Sequence, residues 1–401
     1  SASRSKMIPV ELLREFRAWK QGLVGRPLAG KSAREVLERT GWSRSVGGAS
    51  PYLHFRSRAG LDRATVDEEV KTLDIHELPS ARGCVYVLPK SDFALGLALN
   101  KHPEEPVIPT SPEKQLGITT QQIQSLSDKV MTLLERGDAL DPKQMRGALG
   151  DAVKSYGEEG KKRGITTDLP GVLGRLQAAG KIRRIAVNGR LDQERYSYEK
   201  WSESPLKNYP WSKTESFAEL LKRYLTWLGP VTVDEFRWFS GAGVRDSKAA
   251  IELAQVKEVN GYLWGPGTES ELNDYKPSTE SDVHFIGCLD NLFLLTRNLL
   301  VYIDEKDKGL EIFSEKKSAS AGGLSDLANH AIVDRGRLIG LWDYDFDARG
   351  LVWKAWAGDK DLVAKSASQT EEFIREQLGD ARAFSLDSPK SRQARLTFLR
   401  G

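Results

Sequence analysis

The feature that most constrains this chain is the order of its predicted elements. Three helical segments precede two strand-like runs joined by Asn-Gly, and this order occurs twice. In the clearer copy, helix patterns lead to strand-like residues at 181–187, the pair Asn188-Gly189, and a second run at 190–198. Asn-Gly between two such runs is the strongest short-range sign of a β-hairpin. Three helices followed by a hairpin is the order of a winged helix.

The second copy occupies residues 216–265. Its first helix pattern ends at a Gly-Pro turn, Thr232 is placed to cap the next helix, and residues 256–264 form a hairpin pattern around Asn260-Gly261. Residues 10–92 begin with two or three helix patterns and continue with a strand pattern at 85–88. The sequence therefore predicts at least two winged helices in tandem, and the opening block indicates a third.

Residues 283–401 change in character. Short apolar runs broken by Gly and Asp indicate strands at 284–286, 292–295, 331–333, 338–342 and 352–356, with a loop at 314–325, a helix at 370–378 and a closing strand at 394–398. This pattern predicts a small antiparallel β-barrel or sheet. Four prolines between residues 102 and 112 indicate a linker, because proline removes a backbone donor and stiffens the chain.

These patterns divide the 401 residues into four domains of an α+β fold. Residues 1–112 are predicted to form a first winged-helix-like domain, which carries an active-site face within residues 41–92. Residues 113–205 and 206–275 are predicted to form the second and third winged helices. Residues 276–401 are predicted to form a C-terminal antiparallel β-barrel. A chain of this length needs no disulfide or metal to support its cores.

The composition indicates a cytoplasmic protein without a metal or other cofactor. Charged residues are 29% and the net charge is +3, which excludes a histone-like polycation but allows local basic faces. No apolar run reaches the roughly 20 residues of a membrane span, and residues 1–6 lack the hydrophobic stretch of a signal peptide. Cys84 and Cys288 are interpreted as buried free thiols. The five histidines stand singly, without metal-ligand spacing.

Basic and aromatic residues are interleaved in the opening block and on the middle hairpin. Cationic side chains on a wing are positioned to meet DNA phosphates, and a nearby aromatic ring can stack on a base. A solvated hairpin face is the alternative interpretation. The residues predicted to bind DNA are Trp42, Arg44, Arg56, Arg58 and Arg82 in the opening block, and Lys181, Arg183, Arg184, Arg190 and Arg195 on the hairpin.

Several short motifs follow one another in an order that points to a known family. They are Gln21-Gly22-Leu23 with residues 36–42, residues 82–92, Gly229-Pro230-Val231-Thr232 with residues 236–241, Leu289-Asp290-Asn291, and residues 332–342. In this order the chain resembles the winged-helix DNA glycosylases of the AlkZ/YcaQ type, which act on alkylpurines and interstrand crosslinks. The resemblance implies tandem winged helices that form a C-shaped cleft around duplex DNA, followed by a β-barrel.

The chain departs from this family at two functional positions. The family carries a Gln-x-Gln or Gln-x-Asp triplet after the glycine that matches Gly41, and these side chains hold the hydrolytic water. Here the triplet is Ser43-Arg44-Ser45. A serine hydroxyl orients water by one hydrogen bond but is not a base. The family also has a minor-groove-probing histidine where this chain has Tyr86, so the resemblance adds Tyr86 to the DNA-binding candidates.

Three explanations of these departures stay open. The chain is a glycosylase with a rebuilt pocket, or it binds DNA without catalysis, or its catalytic carboxylate lies elsewhere, for example in Glu158-Glu159. In the first explanation, short serines beside Gly47-Gly48 open volume for a bulkier base. The catalytic candidates, which would position water and stabilise an oxocarbenium-like sugar, are Ser43, Ser45, His54, Asp62 and Asp92.

Some of these candidates also have an ordinary structural interpretation. His54 fits a packed helix histidine, Tyr86 fits a strand residue of the core, and Asp62 and Asp92 fit helix caps. Trp42 fits a core tryptophan as well as a base-stacking residue. The sequence leaves both interpretations open at each position.

The sequence therefore predicts a monomeric, cofactor-free, monofunctional DNA N-glycosylase that works on the nucleoid in the cytoplasm. Its partner is double-stranded DNA with a modified, bulky base, either a lesion or a hypermodified base such as a glucosylated phage base, and its product is an abasic site. Base-excision DNA repair and antiviral defence are the predicted roles. The alternative is a non-catalytic winged-helix DNA-binding regulator, which leaves the DNA intact.

Overall fold

The computed structural model describes residues 7–314 and 317–401. Residues 1–6, where no signal peptide is predicted, lie outside the described residues, and so do residues 315 and 316 of the predicted loop at 314–325. The described chain is a mixture of helices and small antiparallel sheets. No helix among the described residues is long and apolar enough to cross a membrane.

Helices and strands alternate irregularly along the chain. The helices are α1 (Val10–Lys20), α2 (Ala33–Thr40), α3 (Ser50–Ala59), α4 (Arg63–Lys71), α5 (Phe93–Asn100), α6 (Ser111–Gln115), α7 (Thr120–Leu134), α8 (Pro142–Leu149), α9 (Gly157–Lys162), α10 (Leu169–Ala178), α11 (Lys213–Leu228), α12 (Val233–Ser240), α13 (Val244–Leu253), α14 (Thr268–Asp274), α15 (Asn291–Leu294), α16 (Lys360–Phe373) and α17 (Gln393–Arg400). The strands are β1 (Ser43–Arg44), β2 (Ile75–Pro79), β3 (Val85–Pro89), β4 (Ile182–Ala186), β5 (Tyr196–Lys200), β6 (Lys257–Val259), β7 (Tyr262–Trp264), β8 (Val283–Ile286), β9 (Glu311–Ser314), β10 (Lys317–Ser320), β11 (His330–Asp334), β12 (Arg337–Asp345) and β13 (Gly350–Ala355).

Local capping fixes where several helices begin. Ser32, Thr119, Asp141 and Thr232 each accept a hydrogen bond from the backbone three residues later, and the Glu or Gln at that third position returns one to the cap backbone. These capping boxes satisfy backbone donors that the helix leaves unpaired. The starts of α2, α7, α8 and α12 are therefore determined by residues adjacent in sequence.

A three-stranded antiparallel sheet organises the opening block, with the strand order β1-β3-β2. The sequence predicts only β3. Its neighbours escape pattern analysis because β1 has two residues and β2 carries His76 and Glu77 between apolar positions. Ser43 and Glu77 both pair with Val87, one on each side of β3. The sheet thus joins segments that are far apart in sequence.

The second block contains the predicted helices and a hairpin, but the hairpin has a long connection. The β4 and β5 strands pair from Ile182 with Lys200 to Ala186 with Tyr196. The predicted strand at 190–198 is therefore wrong in its first half. Arg190 instead donates to the carbonyl oxygen of Leu378, and the backbone of Leu191 donates to the hydroxyl of Tyr52. These long-range hydrogen bonds draw the segment out of the hairpin.

The third block follows the predicted order of three helices and a tight hairpin. The β6 and β7 strands pair Val259 with Tyr262 across Asn260-Gly261. Both turn residues have positive φ, 53° and 81°, which is the conformation that a two-residue turn of this kind requires. Val231, between α11 and α12, forms an additional bridge to Leu263. The hairpin prediction is confirmed here.

The predicted C-terminal barrel is wrong. Its strands form an open four-stranded antiparallel sheet with the order β13-β12-β11-β8, and no closed barrel occurs within the described residues. The two edge strands do not pair with each other because helices pack against them: α3 and α16 contact β8, and α16 and α17 contact β13. Helices that cover a sheet bury its apolar face without requiring closure.

Other C-terminal segments also differ from their predictions. Residues 292–294 lie in the helix α15 and Leu295 ends it, while Asp290 caps its start by accepting from the backbone of Leu292. Residues 394–398 lie in α17 instead of a closing strand. The helix predicted at 370–378 begins at Lys360 and ends in a π-helical turn, Ile374–Leu378. Part of the predicted loop at 314–325 is paired as β9 and β10. Short apolar runs do not distinguish a strand from a buried helix.

Within residues 7–314 and 317–401, four hydrophobic clusters form the core. The buried members of one all lie between residues 118 and 182, within the second block. The other three combine segments that are distant in sequence. Trp42 and Tyr86 pack with Trp227 of α11, for example, and Tyr52 of α3 shares a cluster with Trp342 of the C-terminal sheet. The opening block is therefore held in place by the third block and by the C-terminal sheet.

A buried ion pair anchors the opening block to the C-terminal region. Both guanidinium nitrogens of Arg58 donate to Asp290, at 2.7 and 2.8 Å, and neither side chain is more than 1% exposed. Gln21 accepts from the same Arg58 and donates to the carbonyl oxygens of Thr40 and Trp227. One polar network therefore connects α1, α2, α3, α11 and the start of α15.

We expect Arg58→Ala to lower the free energy of unfolding by about 3–5 kcal/mol, because it leaves the Asp290 carboxylate buried without its partner. Chemical denaturation measures the change. Arg56→Ala is the matched control on the same helix, since its pair with Asp62 is largely exposed and contributes less than about 1 kcal/mol. Similar losses from both variants would contradict the anchoring role of Arg58.

Candidate active site and DNA-facing residues

Strand register places two serines and one carboxylate on the same side of the first sheet. Side chains alternate along a strand, so the hydroxyls of Ser43 and Ser45 share a face and Arg44 points to the other. Ser43, Val87 and Glu77 lie opposite one another in the sheet, which puts Glu77 on the serine face. We call Ser43, Ser45 and Glu77 the reaction face.

The Glu77 carboxylate is the centre of this face. It accepts a hydrogen bond from the hydroxyl of Ser45, and the guanidinium of Arg184 on β4 lies 3.5 Å from its second oxygen. Burial raises the pKa of the Glu77 carboxyl above its usual value, although Arg184 and hydrogen bonding from Ser45 and Tyr196 act in the opposite direction. A carboxyl group in this setting can exchange a proton nearer to neutral pH than an exposed one.

The middle hairpin covers the reaction face. Arg184 comes from β4 and lies over the ring of Tyr196 from β5, with 4.0 Å between the guanidinium carbon and the ring centroid. Ser43 and Ser45 are only 3% and 2% exposed. The hydroxyls are therefore shielded from solvent in this arrangement.

Gly47-Gly48 opens no volume beside the serines, which corrects the expectation of a roomier pocket at this point. A Cβ atom on Gly48 would lie 2.5 Å from the carbonyl oxygen of Ala383, and one on Gly47 would lie 2.8 Å from the side chain of Glu194. Two backbone hydrogen bonds fix this contact. The Ala49 N–H donates to the carbonyl oxygen of Arg382, and the Ser385 N–H donates to that of Val46. The space beside the two glycines is filled by residues 382–385.

His76 lies on the opposite face of the same sheet. Its ring packs edge-on against Phe93 and Trp201, at centroid distances of 6.1 and 5.6 Å. Burial lowers its pKa to about 3, with Arg183 and Arg184 acting in the same direction. Neither ring nitrogen has a hydrogen-bond partner within the described residues. His76 is therefore neutral and faces away from the serines.

His54 is a packed helix residue and not part of the reaction face. Its Nε2 shares a hydrogen bond of 2.9 Å with the hydroxyl of Thr40, and its ring is 1% exposed. Burial lowers the pKa of His54 well below its usual value, and the neighbouring Arg58 acts in the same direction. A neutral, enclosed imidazole beside the anchoring ion pair favours the structural interpretation.

Asp62 and Asp92 precede helices, but neither side chain forms the expected cap hydrogen bond. Asp62 is exposed and pairs with Arg56 at 3.0 Å. Asp92 is buried, where it accepts from the indole of Trp42 at 2.9 Å and from Arg223 at 2.8 Å. Both carboxylates are bound in pairs that do not include the serines.

The alternative carboxylates at 158–159 are also remote from the reaction face in their contacts. They lie exposed on the short helix α9. Glu159 pairs with Arg163 at 2.7 Å and with Lys162 at 3.5 Å, both within the same segment. These contacts are typical of a solvated helix surface.

Two aromatic candidates lie in the core. Trp42 has no exposed surface, and its ring packs edge-on against Trp227 at 5.4 Å. Tyr86 is 1% exposed and packs against Trp42 and Phe239. Gly41 permits this packing, because its φ is 95° and a Cβ would lie 2.9 Å from the Trp227 ring. The expectation that Trp42 and Tyr86 contact bases is thus corrected by their burial.

The cationic candidates of the opening block have different surroundings. Arg58 is fully buried in its pair with Asp290, which removes it from the DNA-facing set. Arg56 is partly exposed and lies over the ring of Phe373. Arg82 is exposed in a turn with φ of 58° and stacks on Trp238 at 4.0 Å. Arg44 is partly exposed and donates to the carbonyl oxygen of Val85.

The cations of the middle hairpin also fall into two groups. Lys181 and Arg195 are exposed. Arg183 pairs with Glu199 and lies over Trp201, while Arg190 donates twice to Asp192 and once to Leu378. Arg184 is directed at the Glu77 carboxylate. Lys181 and Arg195 are therefore the hairpin cations most available to a phosphate.

Sequence reasoning missed Glu77. It lies within a five-residue strand that no pattern indicated, and its contact with Ser45 spans 32 positions. The one available signal was the unusual sequence Ile-His-Glu-Leu-Pro, in which ionisable residues interrupt an apolar run just before the predicted strand. A buried carboxylate beside two hydroxyls can orient water and accept its proton.

Comparison with known proteins gives a consistent result. A family model described as AlkZ-like, "DNA glycosylase AlkZ-like", matches residues 43–378. Among solved structures, the DNA glycosylase AlkZ of Streptomyces sahachiroi matches with a TM-score of 0.67 and 19% sequence identity, over 94% of this chain and 98% of that chain. At this identity the structural likeness concerns the fold. No curated protein sequence matches the chain.

The direction of the Glu77 pKa shift predicts an unusual pH dependence of stability. The pKa of Glu77 is higher in the folded chain than in the unfolded chain, so its protonated carboxyl group stabilises the folded state. This stabilisation is complete below the unfolded-state pKa of about 4.3 and is lost as pH rises through the folded-state pKa. We therefore expect Glu77→Gln to gain thermal stability relative to the natural chain as pH increases. Melting temperatures between about pH 3 and about pH 7 measure this difference.

Glu113→Gln is the matched control with the opposite sign. A hydrogen bond from Arg175 lowers the pKa of Glu113 to about 2, so this carboxylate stabilises the protein at neutral pH and the effect disappears as pH falls towards that value. The control variant should be less stable than the natural chain near neutral pH. Parallel pH profiles for the two variants would show that burial does not raise the pKa of Glu77.

Proposed function

This chain belongs to the AlkZ-like DNA glycosylase family, and on that premise we propose that it hydrolyses the N-glycosidic bond of a modified base in double-stranded DNA. The product is an abasic site. We further propose that the three blocks of helices and hairpins at 1–112, 113–205 and 206–275 act as tandem winged helices that line a C-shaped cleft for the duplex.

The observation that carries this proposal is the reaction face. Ser43 and Ser45 stand where the family resemblance places the side chains that hold the hydrolytic water, and the buried Glu77 carboxylate lies beside them. Two hydroxyls and a carboxylate can together bind one water and aim it at the sugar. No metal or cofactor is part of the proposed chemistry, and a monofunctional glycosylase needs no lysine that forms a Schiff base.

The substrate is proposed to be a bulky modified base. Serine is two heavy atoms or more shorter than the family's glutamine, so the proposed substrate has more room in front of Ser43 and Ser45 than glutamines would leave. Gly47-Gly48 adds nothing to this room, because residues 382–385 fill it. A bulky lesion or a glucosylated phage base fits this description, with base-excision repair or antiviral defence on the nucleoid as the role and a monomer as the acting form.

A second candidate function is DNA binding without catalysis. The burial of Ser43 and Ser45 and the commitment of the Ser45 hydroxyl to Glu77 favour it. A regulator of this kind binds a defined sequence and leaves every base in place. The two functions therefore differ in whether abasic sites form.

The test compares alkylated, crosslinked and glucosylated DNA with unmodified DNA of the same sequence. Incubation with the protein should produce alkali-labile sites in at least one modified DNA and none in the unmodified one. Ser45→Ala should slow the excision about tenfold, because one hydrogen bond to a charged or reacting group contributes about 1.5 kcal/mol. Ser43→Ala should have an effect of the same order.

Ser57→Ala is the control, since this partly exposed serine donates to His54 within α3 and is not part of the reaction face. Its excision rate should match that of the natural chain. Tight sequence-specific binding with no abasic sites in any DNA would reject the enzyme in favour of the regulator.

DNA binding should depend on the exposed hairpin cations. Arg195→Ala should lower the slope of log affinity against log salt by about 0.9, the value for one lost phosphate contact on duplex DNA. Arg190→Ala should leave the slope unchanged, because Asp192 and Leu378 occupy that guanidinium. Fluorescence anisotropy at several salt concentrations measures both slopes, and equal slopes would argue against this DNA-facing surface.

A further inference from the structure

We propose that Glu77 is the catalytic carboxylate of this protein. We further propose that Arg184 pairs with this carboxylate and keeps it from reacting until DNA is bound. This inference rests on the proposed glycosylase function. It replaces the water-holding amides of the family with a carboxylate that comes from a different strand. It also means that the middle hairpin controls Glu77 in addition to contacting DNA.

Position is the first argument. Glu77 is the carboxylate that shares the reaction face with both serines, because β3 lies between β1 and β2 and aligns Ser43 and Glu77 on Val87. The hydrogen bond from Ser45 aims the carboxylate along the face. A water held between the Ser43 hydroxyl and Glu77 would therefore meet a donor and a base together.

The other candidate carboxylates have their partners already. Asp92 is held by Trp42 and Arg223, and Asp290 is held at both oxygens by Arg58. Asp62 is exposed and pairs with Arg56. Glu77 differs because its ion pair with Arg184 is long, at 3.5 Å, while its burial is nearly complete. An incompletely paired buried carboxylate is a candidate for proton transfer.

Arg184 is the second argument. It lies on the same hairpin as the exposed Lys181 and Arg195, which are the cations most available to a phosphate. A DNA phosphate that approaches this hairpin competes with Glu77 for the guanidinium, because phosphate binds arginine in two-point geometry. A guanidinium that binds phosphate no longer pairs with Glu77, and the carboxylate is then free to act.

The chemical step balances with these groups alone. The oxygen of water forms a bond to C1′ of the sugar, the C1′–N bond breaks, and the departing base keeps its electron pair. Glu77 accepts the proton released by the water, and the base takes a proton from solvent. Before it takes up that proton, the ionised carboxylate of Glu77 also faces the cationic sugar and stabilises it.

The pKa direction agrees with this role. Burial raises the pKa of Glu77, and the charged or titratable groups that face it are Arg184 from β4 and Tyr196 from β5, with the Ser45 hydroxyl beside them. Arg184 lowers the pKa of Glu77. When a DNA phosphate binds Arg184 instead, this effect is lost and the Glu77 carboxylate becomes a stronger base.

The experiment measures single-turnover excision, DNA affinity and melting temperature for Glu77→Gln, using the modified DNA on which the natural chain is active. We expect the excision rate to fall about 10²–10⁴-fold, the usual contribution of a general base, with DNA affinity and folding preserved. Glu77→Asp keeps a carboxylate and should retain more activity than Glu77→Gln.

Glu199→Gln is the matched control, because Glu199 forms a carboxylate–arginine pair with Arg183 on the same hairpin but lies outside the reaction face. Its excision rate should stay within about threefold of the natural chain. Arg184→Ala should make excision less dependent on the length of the DNA flanking the modified base, since the hairpin no longer needs a phosphate to release Glu77.

The outcomes separate this inference from the proposed function. If the natural chain forms abasic sites and Glu77→Gln retains its rate within about threefold, Glu77 is not catalytic, whereas the glycosylase function stands. If the natural chain forms no abasic sites in any modified DNA, the proposed function fails and the inference fails with it. A large loss of rate without loss of DNA affinity supports both.

A pH profile of the natural chain provides a second test that needs no variant. The single-turnover rate should rise with pH along a limb that begins above the ordinary glutamate value of about 4.3, because only the ionised carboxylate accepts a proton. This limb should disappear in any Glu77→Gln protein that folds. A rate that does not change between about pH 5 and about pH 8 would overturn the assignment.

Discussion

The buried ion pair between Arg58 and Asp290 is the constraint on which the position of the reaction face depends. Arg58 lies in α3, directly after the segment that carries Ser43 and Ser45, and Asp290 caps α15 beyond the first strand of the C-terminal sheet. Two charges removed from water tolerate little displacement, because each loses its opposite charge when they separate. The apolar clusters hold the opening block against its neighbours, and the ion pair adds a directional constraint.

A second ion pair, between Arg184 and Glu77, shows how a similar interaction serves a different purpose. Burial disfavours the ionised form of both Asp290 and Glu77. The two-point pair with Arg58 nevertheless lowers the pKa of Asp290, whereas the single long contact with Arg184 leaves the pKa of Glu77 raised. A fully paired buried carboxylate such as Asp290 therefore maintains the fold, whereas an incompletely paired one such as Glu77 is suited to proton transfer. The less stable arrangement is the one that chemistry requires.

Sequence reasoning succeeded where neighbouring residues decide the structure. The cap at Thr232 and the Asn260-Gly261 turn depend on contacts over a few positions, and the structure contains both. It failed where distant segments compete with the local pattern. Arg190 leaves the predicted hairpin to bond with Leu378, and helices that cover the C-terminal sheet remove the need for a closed barrel. The burial of Trp42 and Arg58 likewise involves partners more than 180 residues away, Trp227 and Asp290.

The sequence by itself determined the order of the helices in the second and third blocks, one of the two predicted hairpins, the likeness to a family of DNA glycosylases, and the two-residue spacing that puts Ser43 and Ser45 on one side of a strand. Only the tertiary structure decided which carboxylate stands beside them. Glu77 meets Ser45 because β3 pairs with both of their strands, and Arg184 reaches the same carboxylate because a hairpin from the second block folds over the sheet. Strand order and packing between blocks set these contacts, and neither is written in any local pattern.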